Sequence, residues 1–135
     1  MARIVRSLRA LATSLGIVVV LASCTAASAA TGQTSLRIVF RSSPHAAPRV
    51  ATLHCAPPGG TVERPAAACR RLATLGRAAF AATPPGSACT QIYGGPQQAV
   101  VTGTVDGARV WARLTRVDGC ALARWSRVAF LIPGR

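Results

Sequence analysis

The tightest constraint on this chain is a set of four cysteines, Cys55, Cys69, Cys89 and Cys120, spread through the roughly 100 residues that follow an export signal. Residues 1–29 have the three-part layout of such a signal. Met1–Arg9 holds three arginines and no acid, Ala10–Leu21 is apolar but too short for a membrane span, and small residues follow. An exported chain enters an oxidising space, where an even number of cysteines pairs. Two processing points compete. Ala27-Ser28-Ala29 has the A-x-A form, and Leu21-Ala22-Ser23-Cys24 has the form of a lipobox, in which Cys24 is lipidated, becomes the mature N-terminus and anchors the chain to a membrane. In both cases Cys24 stays outside the folded domain, residues 30–135, and four cysteines remain inside it.

A domain of that length has a thin core, which disulfides would reinforce. Every basic residue is arginine, and lysine is absent. The formal charge of +13 falls to +10 once Arg3, Arg6 and Arg9 leave with the signal, 13 arginines then facing Glu63, Asp106 and Asp118. Such a charge attracts nucleic acid, an anionic envelope surface or an acidic protein, and does not choose among them.

The hydrophobic pattern is mostly of period two. In Ser35–Arg41, Leu36, Ile38 and Phe40 share one face. In Arg49–Ala56, Ala51, Leu53 and Cys55 do so, which sends His54 to the other side. Ala99–Val105 and Ala108–Arg116 flank Asp106-Gly107, a two-residue hairpin signal. There Val110, Ala112 and Leu114 point inward, and Arg109, Trp111 and Arg113 point outward. Val128–Ile132, stopped by Pro133, is a further strand candidate. Pro65–Leu75 is predicted helical: proline suits the first position, Ala68, Leu72 and Leu75 share a face, and Gly76 ends it. Arg77–Ala82 and Ala121–Trp125 are candidates for short helical turns. The sum is an α+β domain, an antiparallel sheet of about five strands with two helices packed on one face.

Four cysteines allow three connectivities. Placement favours one of them: Cys55 ends a strand and Cys69 lies in the next helix, so their bridge closes about 15 residues and contributes about 3 kcal/mol. Cys89 is then left to Cys120. That staple ties down one end of the run Ser87–Gln98, which lies between Pro84-Pro85 and Gly94-Gly95-Pro96. A segment held in this way loses little ordering entropy when it binds.

Cys55-Ala56-Pro57, Pro65-Ala66-Ala67-Ala68-Cys69, Cys89 to Tyr93, Val105-Asp106-Gly107 and Cys120, in this order, resemble the Streptomyces subtilisin inhibitor family of serine protease inhibitors over about Ser35–Phe130. The resemblance implies an α+β sandwich with these two disulfides, a homodimer formed through the sheet, and a protease-binding loop after Cys89. By position, Gln91 becomes the residue whose carbonyl a subtilisin-like protease attacks and Ile92 follows the scissile bond, with Ala88, Cys89, Thr90 and Tyr93 as contacts. The chain departs from the family's habit in three places, one of them the Gly94-Gly95-Pro96 exit, which replaces the usual shorter connection. Gln91 stands where methionine or a basic residue is usual, and Ala88 where a bulkier apolar residue is usual.

Other readings carry less. His45 and His54 are lone histidines without an acid nearby in sequence, expected at the surface as neither base nor metal ligand. A small domain with three acids and no Gly-x-Ser-x-Gly elbow is not expected to be an enzyme, and nothing in it calls for a cofactor or metal. Trp111 between Arg109 and Arg113 suits either a stacking platform for single-stranded nucleic acid or a surface covered by a dimer partner. Export and the family resemblance favour the partner, so no nucleic acid is expected. The alternative function is an envelope-associated binding or structural module of the same fold without inhibitory activity.

Overall fold

A computed structural model describes residues 32–134. The export signal and Cys24 lie outside the described residues. Among those described, no helix is long and apolar enough to cross a membrane. The elements run β1 (Ser35–Arg41), β2 (Arg49–Cys55), β3 (Pro58–Gly60), α1 (Pro65–Leu75), a 3-10 helix (Gly76–Phe80), β4 (Gln98–Val105), β5 (Ala108–Leu114), α2 (Gly119–Val128) and a last 3-10 helix (Ala129–Leu131). The five strands form one antiparallel sheet in the order β3-β2-β1-β4-β5.

The alternation read from the sequence sets the sheet's two faces. Leu36, Ile38 and Phe40 of β1, Ala51 and Leu53 of β2, Ala99, Val101 and Val105 of β4, and Ala112 and Leu114 of β5 are all buried. Register puts them side by side: Ile38 stands opposite Ala51 on one flank and Val101 on the other. Their partners are Ala68 and Leu72 of α1, and Trp125 and Val128 of α2. Fully burying a side chain the size of Leu72 stabilises the fold by about 1.5–3 kcal/mol. The opposite face carries Arg37, Arg109, Arg113 and Trp111, all exposed, Trp111 to 70%. His45 and His54 are exposed as well.

The predicted turn is present. Asp106 and Gly107 both take positive φ, 50° and 76°, which matches the right-handed twist of the flanking strands. α1 spans the predicted residues, with Pro65 in its first turn and the Gly76 N–H on the Leu72 carbonyl. The bridges are Cys55–Cys69 and Cys89–Cys120, with Cα–Cα distances of 5.6 and 5.3 Å.

One expectation is corrected. Val128–Ile132 is not a strand: Val128 is the last residue of α2, and Ala129–Leu131 is the 3-10 helix that follows. Asp118 starts α2, its Oδ1 accepting the Ala121 N–H at 2.7 Å. From there Ala121, Trp125 and Val128 recur at helical spacing and are buried. A short continuous apolar run does not by itself distinguish a strand from the end of a buried helix. The fifth strand is instead β3, three residues pairing Pro58–Gly60 with Leu53–Cys55 at the sheet edge. β5 also ends at Leu114, two residues before the predicted Arg116.

Leu72 joins α1 to the sheet and is 1% exposed. Leu72→Ala is expected to lower the free energy of unfolding by about 2–5 kcal/mol, measured by urea denaturation under oxidising conditions. A loss below about 1 kcal/mol would mean that α1 does not rest on the sheet as described.

Candidate functional site

The loop after Cys89 is built by its attachment to one segment, Arg116–Cys120. The Cys89–Cys120 bridge is the first tie. One residue on, the Gly119 N–H donates to the Thr90 carbonyl at 2.9 Å. The Gly94 N–H donates to the Arg116 carbonyl at 2.7 Å. Hydrogen bonding to the opposite segment therefore stops at Thr90 and resumes at Gly94. Gln91, Ile92 and Tyr93 lie between, all exposed, with Ile92 at 60% and Tyr93 at 63%. Val117, 56% exposed, is the apolar neighbour on the opposite segment.

Each end has a local cause. Upstream, Ser87 closes a turn after Pro84, its N–H and its Oγ both donating to the Pro84 carbonyl at 3.3 and 2.8 Å. At Gly119 the two segments approach closely enough that a Cβ there would run into Thr90 Oγ1. Asp118 fixes the segment from the other side by capping α2. α2 is held in the core by Trp125, which meets Phe40 edge to face at 6.3 Å. The loop is thus tied through one disulfide and one helix to the centre of the sheet.

The predicted site residues are contiguous and presented together. Ala88, Thr90, Gln91, Ile92 and Tyr93 are exposed, and Cys89 is half-buried in its bridge. Sequence reasoning gives the staple to Cys120 but not the hydrogen bonds that complete the hold. Asp118 carried a legible signal, a helix-capping residue before an apolar run. The hydrogen bonds at Gly119 and Arg116 carried none, because any residue supplies the same backbone groups.

Asp118 also lies beside the second bridge, with donor atoms of Cys89, Asp118 and Cys120 within 4.8 Å of one another. Both sulfurs are joined to each other and Asp118 Oδ1 is engaged by Ala121. The group is a structural knot, with no thiolate to offer a metal.

Closing the 31-residue separation between Cys89 and Cys120 contributes roughly 3–4 kcal/mol in the chain-entropy model. The double variant Cys89→Ser/Cys120→Ser is expected to stay folded through the remaining bridge and to expose the loop to non-specific cleavage. Limited proteolysis with mass mapping checks this: new cuts should fall within residues 90–94 and leave the wild type intact. Cuts confined to other segments would show that the bridge does not control the loop.

No curated protein matches the chain. Among solved structures it is similar to a chain in the crystal structure of Streptomyces caespitosus sermetstatin in complex with Bacillus licheniformis subtilisin. The two share 24% identity over 75% of this chain and 100% of that one, with a TM-score of 0.49. The subtilisin inhibitor-like family model matches residues 31–116, which takes in all five strands, α1 and the loop, and the chain belongs to that family.

Proposed function

We propose that this chain is a secreted, non-enzymatic inhibitor of subtilisin-like serine proteases, with residues 1–29 as export signal and residues 30–135 as the inhibitory domain. The Gln91–Ile92 bond is offered to the protease in substrate-like form. The observation that carries this is the pair of backbone hydrogen bonds at Thr90 and Gly94, which hold the loop on both sides of three exposed residues.

A protease binds its substrate as an extended strand and attacks the carbonyl of the residue in its primary pocket. Here that carbonyl belongs to Gln91, with Ala88, Cys89 and Thr90 leading into the enzyme's cleft and Tyr93 following. The loop is ordered before contact, so binding does not lose its gain to ordering entropy, and affinity reflects preorganisation more than area. If the bond is cut, the new ends stay tethered, one through Cys89 and Thr90 and the other through Gly94. The released amine then remains beside the acyl group, and resealing competes with hydrolysis.

Gln91 sets the choice of enzyme. It brings no charge to an acidic primary pocket, and its neutral side chain suits a broad one. Gln91→Lys is expected to recruit trypsin. Gln91→Met or Gln91→Leu should tighten subtilisin binding by about 1–3 kcal/mol, and Gln91→Pro should abolish both. Thr74→Lys, on the exposed side of α1, should change neither. Titration of subtilisin and trypsin with each oxidised variant reads these differences. Equal absence of binding in the wild type and all four Gln91 variants would overturn inhibition and leave the envelope-associated module of the same fold.

A second reading concerns the open sheet face, where Trp111 is 70% and Val50 46% exposed. Large apolar side chains on a sheet face suit a covering partner, and a homodimer through this face is the partner we propose. Trp111→Arg should shift sedimentation to the monomer without loss of thermal stability beyond that caused by dilution. Wild-type chain that sediments as a monomer at high micromolar concentration would overturn it. Anchoring through a lipidated Cys24 is the alternative end of export, and it would place the same loop at a membrane surface.

A further inference from the structure

A cavity of about 410 Å³ opens between the end of the sheet and α2, lined by Phe40, Ser42, Arg49, Gln97, Arg116 and Trp125, with Ile132 and Gly134 closing it. Its floor is apolar, made by the edge-to-face pair of Phe40 and Trp125. Two guanidinium groups share the cavity. Arg49 lies over the Phe40 ring at 4.8 Å and donates to the Gly134 carbonyl. Arg116 lies over the Trp125 ring at 5.8 Å and donates from NH1 to Gln97 Oε1 at 3.1 Å.

Arg116 is the unusual member. It is half-buried, its Nε is shut off from solvent with no hydrogen-bond partner among the described residues, and its guanidinium donates to a neutral amide, that of Gln97. A guanidinium cannot shed its proton to escape burial. Charge drawn out of water without a counter-charge is costly, and among the described residues no acidic side chain lines this cavity. A second arginine facing the same space adds repulsion that an anion would relieve.

We propose that this cavity binds a small organic carboxylate whose body is aromatic or branched aliphatic. The carboxylate sits between Arg49 and Arg116, where paired N–H donors match its two oxygens, and the apolar body rests on Phe40, Trp125 and Ile132. Ser42 and Gln97 supply neutral polar contacts at the rim. The volume lies within the ordinary range for small-molecule sites.

The cavity shares a wall with the exit of the loop. Arg116 accepts the Gly94 N–H through its own carbonyl, and Gln97 lies three residues beyond Gly94. A ligand that fixes the Arg116–Gln97 pair therefore braces the downstream tie of the loop. The site itself stands independently of the inhibitory reading, and no protease enters its test.

The full chain with both disulfides formed is used in a Trp111→Phe background, which leaves Trp125 as the one tryptophan. Phenylacetate is expected to change Trp125 emission saturably, and its neutral counterpart phenylacetamide to bind at least about ten-fold more weakly. Arg49→Gln, at an exposed position, should weaken phenylacetate at least about five-fold; Arg116→Gln should do the same where it folds. Arg109→Gln, on the far face of the sheet, should leave affinity unchanged. At saturation, hydrogen exchange of the Gly94 amide should slow. No saturable change, equal binding of acid and amide, or equal losses in Arg49→Gln and Arg109→Gln would each overturn the site. Saturable binding with unchanged Gly94 exchange would overturn the bracing.

Discussion

The Cys89–Cys120 bridge joins the exposed loop to the first turn of α2, and the position of everything in the loop depends on that join. A disulfide alone fixes one point and leaves the chain free to swing about it. Direction comes from the hydrogen bonds at Thr90 and Gly94, which lie on either side of the three free residues. Those bonds are useful because their other ends are immobile. Gly119 opens a helix whose Trp125 and Val128 are buried, and Arg116 follows β5 by two residues. Rigidity therefore passes from the sheet core through α2 and β5 into a loop that has no regular structure of its own.

The parts of the fold legible in the sequence are those in which burial is periodic. β1, β2, β4 and β5 each bury alternate side chains against a single layer, and Pro65 to Gly76 carries start and stop signals around a helical stripe. The misread parts have other causes. β3 is Pro-Gly-Gly, a composition with no strand preference, and it pairs only because the Ala56-Pro57 turn brings the chain back along β2. Val128 to Ile132 is apolar on every side because it fills the end of the core, so its sequence holds no period to read. At the site, the cysteine and the flanking glycines and prolines marked where the loop is. The hydrogen bonds that complete its hold are illegible, since they act through the main chain.

The arginine excess has a similar lesson. Many of these side chains serve as long, always-charged donors to backbone carbonyls or as covers for aromatic rings. Arg124 reaches the Ala81 carbonyl at 3.0 Å, Arg127 reaches that of Ala78 at 3.1 Å, and Arg71 lies over Phe130 at 4.9 Å. Together the first two fasten α2 to the 3-10 helix that follows α1. A polyanion-binding protein would gather its cations on one face to track phosphates. Here they are divided between the open sheet face and the helical side, with structural duties on the helical side. The net charge sets the field around the molecule more than it marks a site.

This division of labour also explains how the loop tolerates an unusual residue at its centre. The groups that make it rigid are a disulfide, two main-chain carbonyls, two main-chain N–H groups and a helix cap. The groups that would meet an enzyme are the side chains of Gln91, Ile92 and Tyr93, which project into solvent. A change at Gln91 therefore removes no contact that holds the loop, so that on the proposed reading the choice of protease could change there without a cost in folding. Gly119 has no such freedom, because a Cβ there would run into Thr90 Oγ1. Sequence variation in a loop of this design should accordingly be free at positions 91 to 93 and stop at Cys89, Gly119 and Cys120, where a bridge or a close approach, and not only the main chain, holds the loop.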